Sequence, residues 1–304
     1  MAGSSMDRSY RKQINFSCRD LQTLSLPMKK SIAILLLLAL FSCSTPPKPE
    51  GLILKVQYQP EKTYNISTIR GTETVITYSG QPIAMRKLKS MNIKNPTISK
   101  VKTKTDTELI TGKRSADNSF PVSLTYKKTM SLDGKNEIPE GSVVQGEITG
   151  DQLPIFSNVT SATLDINQKN KLLQTVQTTF EQFKFSEQRL KVGDQFTTNR
   201  PMEMTMEGST IDIVVTTTYK LLSIKTDVAQ FELNQTYQMT PKTMDNSFEG
   251  KGSGKGQLSY NIGSSLITDY SIKTELEMNK KLDYYEFDLK TVNELSQTTQ
   301  IGKQ

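Results

Sequence analysis

Long stretches of this chain alternate apolar and polar residues with a period of two. The pattern is clearest in residues 210–224, where Ile211, Ile213 and Val215 share one parity, and it recurs in residues 231–239 and 270–278. Successive side chains of a β-strand point to opposite faces, so this alternation predicts strands with one apolar and one polar face. One-sided strands are typical of antiparallel sheets with one solvated face. The chain is therefore predicted to be mainly β.

One segment follows a helical period instead. Between residues 167 and 184, apolar side chains recur at spacings of three and four, and the opposite face is polar. Asp165 or Asn167 is suited to cap the first turn, because a short polar side chain can accept a hydrogen bond from a free backbone N–H. These features predict one central amphipathic helix at about residues 167–184, so the fold class is α+β with few helical residues.

The two signals together favour a strongly curved antiparallel sheet, or half-barrel, with the helix against its concave face. Curving and covering the sheet would protect its edge strands from pairing with other chains. The arrangement is similar to the half-barrel of lipoprotein carriers, and the similarity concerns the fold alone.

The chain also contains two segments that align with each other. Residues 116–130 match residues 226–240, with Phe120 on Phe231 and Val122 on Leu233. The alignment is consistent with two related halves, residues 51–160 and 188–290. The alternative is two unrelated hairpins with the same alternation.

A short apolar run precedes this β-rich part. Residues 32–41 are apolar, follow Lys29 and Lys30, and lead to a cysteine and two prolines. A membrane-spanning helix needs roughly 17–25 such residues, whereas a basic start, a short apolar run and small residues form a secretory signal. A buried helix is the alternative, but the basic start and the proline-rich exit favour a signal peptide at residues 28–42.

The end of this signal resembles the lipobox of bacterial lipoproteins, in the "FSCS" form seen in Bacteroidota. The resemblance implies that Cys43 is acylated, becomes the first residue of the mature protein and anchors it in the membrane. Residues 43–50 would then form a proline-rich tether, and residues 51–304 a single β-rich domain. Residues 1–27 fit neither part and are interpreted as a spurious or disordered extension.

Composition excludes several classes of function. The chain has no histidine and only two cysteines, Cys18 and Cys43. Histidine is the usual general base and the commonest metal ligand, so we expect no enzyme, cofactor or metal; a carboxylate-based hydrolase is the remaining enzymatic alternative. The formal net charge of +7 is spread along the chain. A nucleic-acid-binding protein would concentrate basic and aromatic residues on one face, so no nucleic acid is expected as a partner.

A row of methionines provides the candidate binding residues. Met202, Met204 and Met206 share one face of a predicted strand. They could belong to the sheet core, bind Cu(I) through their thioethers, or line an apolar ligand cavity with Phe180 and Phe183 of the helix.

Four glycines alternate along another predicted strand, at Gly250, Gly252, Gly254 and Gly256. Their spacing excludes the phosphate-binding loop, which needs glycines five residues apart followed by lysine. The row indicates either a flexible hairpin arm or a strand face kept bare for close packing.

The mature chain resembles the uncharacterised single-domain envelope lipoproteins of Bacteroidota. The resemblance is carried by "MKKSIAILLLLALFSCS", "LKVGDQF" and "GKGSGKGQLSYNIGSSLITDYSIKTELEM". It implies a location at the outer membrane, since Ser44 rather than aspartate follows Cys43. No acidic cluster follows closely, which favours the periplasmic side. The expected function is binding of a lipid or other apolar ligand in the sheet concavity. The alternative is a non-enzymatic scaffold that docks an envelope protein complex.

Overall fold

The computed structural model describes residues 51–131, 138–206, 209–241 and 248–302. The candidate signal peptide, Cys43 and the tether lie outside these ranges, as does the side chain of Met206. The described residues belong to one compact unit. Of the described residues, 64% lie in strands and 11% in helices, which confirms the mainly β class.

Within these ranges the chain forms thirteen strands and two helices. In chain order they are β1 (Leu52–Ile53), β2 (Thr63–Gly80), α1 (Pro82–Ser90), β3 (Thr97–Thr111), β4 (Ser119–Ser131), β5 (Val143–Thr149), β6 (Ile155–Thr160), α2 (Ile166–Glu181), β7 (Arg189–Leu190), β8 (Gln195–Met206), β9 (Ser209–Lys225), β10 (Val228–Pro241), β11 (Phe248–Asn261), β12 (Leu266–Lys281) and β13 (Tyr285–Ile301).

Eleven strands form one antiparallel sheet in the order β6-β5-β4-β3-β2-β13-β12-β11-β10-β9-β8. The sheet consists of two meanders, β2–β6 and β8–β13, which meet where β2 pairs with β13 from Tyr64↔Ile301 to Gly80↔Tyr285. In the described part the outermost strands, β6 and β8, are not hydrogen-bonded to each other, so the sheet is open. The segment that connects these two strands contains α2 and β7, and β7 pairs separately with β1.

The candidate half-repeats correspond to β1–β6 and to β7–β13 up to residue 290. A common origin of the two halves stays a prediction.

The alternation in the sequence separates two faces of this sheet. The outer face carries ion pairs between neighbouring strands, such as Lys100–Glu73 and Lys273–Glu294. Exposed pairs of this kind contribute roughly 0–1 kcal/mol each, so their main effect is to keep the face solvated. The inner face is the one that packs against α2.

Apolar side chains of the inner face form two separate clusters. The main cluster includes the buried side chains of α2 and the inner residues of most strands, among them Tyr64, Leu109, Phe120, Leu221, Phe231 and Leu258. The second cluster contains Ile211, Ile213, Val215, Phe248 and Met278. Polar residues separate the clusters on the C-terminal meander, where Gln235 Nε2 donates to Thr217 Oγ1 at 3.0 Å.

Helix α2 confirms the predicted central helix, with slightly different ends. Its start is fixed by a capping box, in which Asp165 accepts from the Gln168 backbone and the Gln168 side chain accepts from the Asp165 backbone. The helix buries Leu172, Val176 and Phe180, which lie four residues apart along one stripe.

The expectation of one helix was wrong, because α1 follows β2. It begins at Pro82, carries Lys87 and Lys89 in its last turn, and buries none of its residues. The helix has only nine residues, so an apolar stripe cannot recur over several turns as it does in α2, and that recurrence is what a sequence pattern detects. No helix in the described ranges combines the length and hydropathy needed to cross a bilayer.

Candidate functional site

A cavity of about 230 Å³ lies between α2 and the inner face of the sheet. Its sheet side is built from β2, β3, β4 and β13, the strands at the junction of the two meanders and next to it. Its apolar wall includes Tyr58, Ile66, Leu124, Val176, Phe180 and Phe183. Its polar wall includes Thr68, Thr103, Thr105, Thr107, Thr129 and Gln297.

The helix adds Val176 and Phe180 to the apolar wall because of its four-residue period, and its Thr175 and Thr179 line the cavity as well. Val176 and Phe180 are 4% and 7% exposed, and Phe183, just beyond the helix, is 7% exposed. The Phe180 ring packs against the rings of Phe156 at 5.1 Å and Tyr58 at 5.9 Å between centroids. These contacts fix Phe180 at the boundary between the main cluster and the cavity.

Helix α2 is hydrogen-bonded to both outermost strands of the sheet. On β6, the Phe156 backbone N–H donates to Gln177 Oε1 at 2.9 Å. On β8, Arg200 Nη2 donates to the Thr178 carbonyl at 3.1 Å. The first bond occupies a backbone donor that an edge strand would otherwise leave open to another chain.

The polar wall results from alternate threonines that share the inner face. Thr103, Thr105 and Thr107 of β3 pair with Arg70, Thr68 and Ile66 of β2. Across β3, Thr105 pairs with Thr129 of β4.

Thr129 stands out in this wall because its hydroxyl is buried and has no hydrogen-bond partner within the described structure; the residue as a whole is 6% exposed. Buried hydroxyl groups are usually paired, so this oxygen is a candidate contact for a bound molecule.

Arg70 carries the only charge among the described residues that line the cavity. Burial raises the pKa of Tyr126 to about 12, while the positive charge of Arg70 acts in the opposite direction. Burial also raises the pKa of Tyr58. Both phenols are neutral near pH 7, so the electrostatic character of the cavity is set by the guanidinium group.

A second cleft, of about 680 Å³, lies beside the C-terminal end of α2. Lys55 lines this cleft, and its Nζ forms ion pairs with Glu187 at 2.8 Å and with Asp151 at 3.6 Å. The hydrogen bond to Glu187 raises the pKa of Lys55. This cleft is lined by both signs of charge and does not suit an apolar ligand.

The structure brings together two of the five predicted cavity residues. Phe180 and Phe183 line the cavity. Met204 instead packs against the second cluster. Met202 lies on the outermost strand, β8, where it pairs with Ile213 of β9 and is 47% exposed. Met206 ends β8, and its side chain is outside the described part. No group of three or more His, Cys, Asp or Glu residues suited to a metal occurs in the described ranges.

The sequence interpretation missed the polar wall. The signal was present as alternate threonines at positions 103–107, but threonine is common in strands of every kind and does not by itself mark a cavity wall. Nothing local marked Arg70, because its place at the cavity depends on α2, which follows about a hundred residues later.

The glycine row forms the inner side of β11. A methyl carbon added at Gly252 would lie 3.0 Å from Tyr237 Cβ on β10, and one added at Gly254 would lie 2.8 Å from Thr274 Cγ2 on β12. Side chains of both neighbouring strands therefore cover the bare strand, which agrees with the close-packing interpretation of the row.

No known protein family matches this sequence, and no curated protein matches it. Among solved structures, OpdL of Pseudomonas aeruginosa aligns with a TM-score of 0.25 and 5% identity, over 79% of this chain and 99% of that chain. OccK11 (OpdR) of the same organism aligns with a TM-score of 0.24 and 6% identity, over 83% of this chain and 100% of that chain. TM-scores this low do not establish a common fold.

Proposed function

We propose that this chain is an acylated lipoprotein of the bacterial cell envelope that binds a lipid or other apolar ligand between α2 and a curved sheet. Cys43 would carry the acyl anchor, and residues 43–50 would hold the domain off the periplasmic side of the outer membrane. The observation that carries the binding function is the cavity at Phe180 and Phe183, which has an apolar wall built from residues of both the helix and the sheet.

The contacts of α2 support strong curvature of the sheet. Strands lie about 4.8 Å apart, so the outermost of eleven flat strands would be about 48 Å apart. An α-helix with its side chains is about 10–12 Å across. Yet consecutive residues, Gln177 and Thr178, bond to β6 and to β8. A sheet that bends around the helix, as in the expected half-barrel, would bring both strands within its reach.

The size of the cavity restricts the ligand. Small-molecule sites commonly enclose roughly 300–1,000 Å³, and this cavity of about 230 Å³ lies just below that range. It suits a single apolar chain better than a bulky or multi-chain lipid. A scaffold function would instead use the outer face, where ion pairs such as Lys251–Glu277 keep the surface charged.

The anchor has a direct test. In cells grown with labelled palmitate, the full-length protein is expected to carry the label, and Cys43→Ser is expected to remove it. Cys18→Ser is the matched control, because the chain has only these two cysteines. Label that persists in Cys43→Ser, or that disappears in Cys18→Ser, would contradict the assignment of the anchor.

The ligand has a separate test that uses the full-length chain with Cys43→Ser, so that no acyl chain is attached to the protein itself. Native mass spectrometry of this protein, purified from its own envelope, is expected to show a lipid-sized adduct. Adding Thr68→Phe should abolish the adduct, since Thr68 lines the cavity and a phenyl ring would fill it.

The matched control is Thr298→Phe, which makes the same change on the exposed outer face of β13. This variant should keep the adduct. An adduct that survives Thr68→Phe, or an apo mass together with no binding of apolar probes, would rule out the ligand-binding function and leave the scaffold.

A further inference from the structure

The cavity changes character along β2 from a closed apolar end to an open charged end. Ile66 is 8% exposed, Thr68 is half-buried, and Arg70 is exposed, although all three line the same cavity. The apolar residues Leu124 and Phe180 lie among the buried side chains at the closed end. A molecule that fills the cavity would therefore place its apolar part under α2 and its other end near Arg70.

Among the described residues, no carboxylate balances the charge at the open end. Within the described part of the chain, no carboxylate lines the cavity and none forms an ion pair with Arg70. By contrast, two lysines on the outer face of β3, Lys100 and Lys104, each lie within 4.0 Å of a carboxylate. A guanidinium group is always protonated and presents a planar set of donors that matches carboxylate and phosphate oxygens.

A second, independent feature points to a polar ligand atom. The Thr129 hydroxyl lines the cavity, is buried, and lacks a hydrogen-bond partner in the described structure. Thr129 and Thr105 are paired across β3 and β4, next to the row that begins at Thr103 beside Arg70. An oxygen of a bound head group at this level would supply the Thr129 hydroxyl with a hydrogen-bond partner.

We infer that the cavity binds a single-chain amphiphile with an anionic head, the chain lying against Phe180 and Phe183 and the head lying between Arg70 and Thr129. This inference rests on the proposed function, because it names the ligand class of the same cavity. The recognised chemistry is an anionic oxygen group, which either a fatty-acid carboxylate or a phosphate head can supply.

The test measures displacement of the uncharged fluorescent probe 1-aminoanthracene from the full-length chain carrying Cys43→Ser. The chain has no tryptophan, so protein fluorescence interferes little. Three competitors share a twelve-carbon chain: laurate, dodecyl phosphate and dodecanol. Either anion, or both, should displace the probe at about tenfold lower concentration than dodecanol, the effect of one charge-assisted contact. The anion that binds more tightly identifies the head group.

Variants separate the head-group contacts from the cavity itself. Arg70→Gln should remove the advantage of the anions and leave dodecanol unchanged, and Thr129→Val should weaken the anions selectively. Lys102→Gln is the matched control, because Lys102 is exposed on the outer face, one residue from Thr103, and should behave as wild type. Arg70→Lys keeps the charge but not the planar fork, and should give an intermediate affinity.

Two outcomes would overturn the inference, and they differ. If all three competitors displaced the probe at equal concentrations, and Arg70→Gln did not change those concentrations, the anionic head group would be ruled out and the cavity would remain a site for an apolar ligand. Failure of the probe and of every competitor to bind would overturn both this inference and the proposed function.

Discussion

Phe180→Ala is expected to lower the free energy of unfolding by about 3–5 kcal/mol, the range for removing a buried aromatic ring. Phe180 is 7% exposed and contacts the rings of Phe156 and Tyr58, so its loss would open a void between α2 and the sheet. The void would join the existing cavity, and surrounding side chains could collapse into it only in part. Urea denaturation followed by circular dichroism measures the change.

Phe180→Leu is the conservative comparison for the same site. Leucine keeps much of the volume and should cost less than about 1.5 kcal/mol. Equal losses of stability in the two variants would mean that the ring is not packed as its contacts indicate. The alanine variant should also admit ligands with a bulkier apolar end, since the cavity is enlarged at its closed end.

The strands were predictable because their signal is local. Residues 210–224 lie in β9, residues 231–239 in β10 and residues 270–278 in β12, as the alternation indicated. Apolar period alone also located α2. Each of these signals is contained within about fifteen residues, and none depends on which elements become neighbours.

Strand order could not be predicted in the same way. The junction of the two meanders pairs Tyr64 with Ile301 and Gly80 with Tyr285. Those partners are more than two hundred residues apart, and alternating strands can be paired in many orders without changing their pattern. The polar wall of the cavity depends on this order, which explains why its threonines and Arg70 were not recognised.

The positions of Met202 and Met204 also show that a local pattern does not reveal which elements become neighbours. The alternation correctly placed Met202 and Met204 on one face, opposite Ile213 and Ile211. Period two identifies a face but not the level along a long strand. Met204 lies at the level of the second cluster, whereas α2 and its cavity lie with the main cluster.

Gly256→Ala is expected to destabilise the fold by about 2–3 kcal/mol, the upper part of the range for overpacking. Gly256 pairs with Ile272 of β12, and an added methyl carbon would lie 3.0 Å from Ile272 Cα and 3.1 Å from Ile272 Cβ. Rotation of a side chain cannot relieve contacts with a neighbouring backbone, so β11 and β12 would have to separate. Thermal unfolding monitored by circular dichroism tests the effect.

Gly71→Ala supplies the contrast within another strand of the same sheet. On β2, a methyl carbon at Gly71 would meet only Glu294 Cβ, at 3.9 Å. This substitution should be neutral or raise stability by about 0.4–1 kcal/mol, because alanine reduces the conformational freedom of the unfolded chain. If both alanine variants unfolded at the same temperature, the glycine row would have no packing role. A large loss confined to Gly256→Ala would show that the row lets the neighbouring strands pack closely against β11.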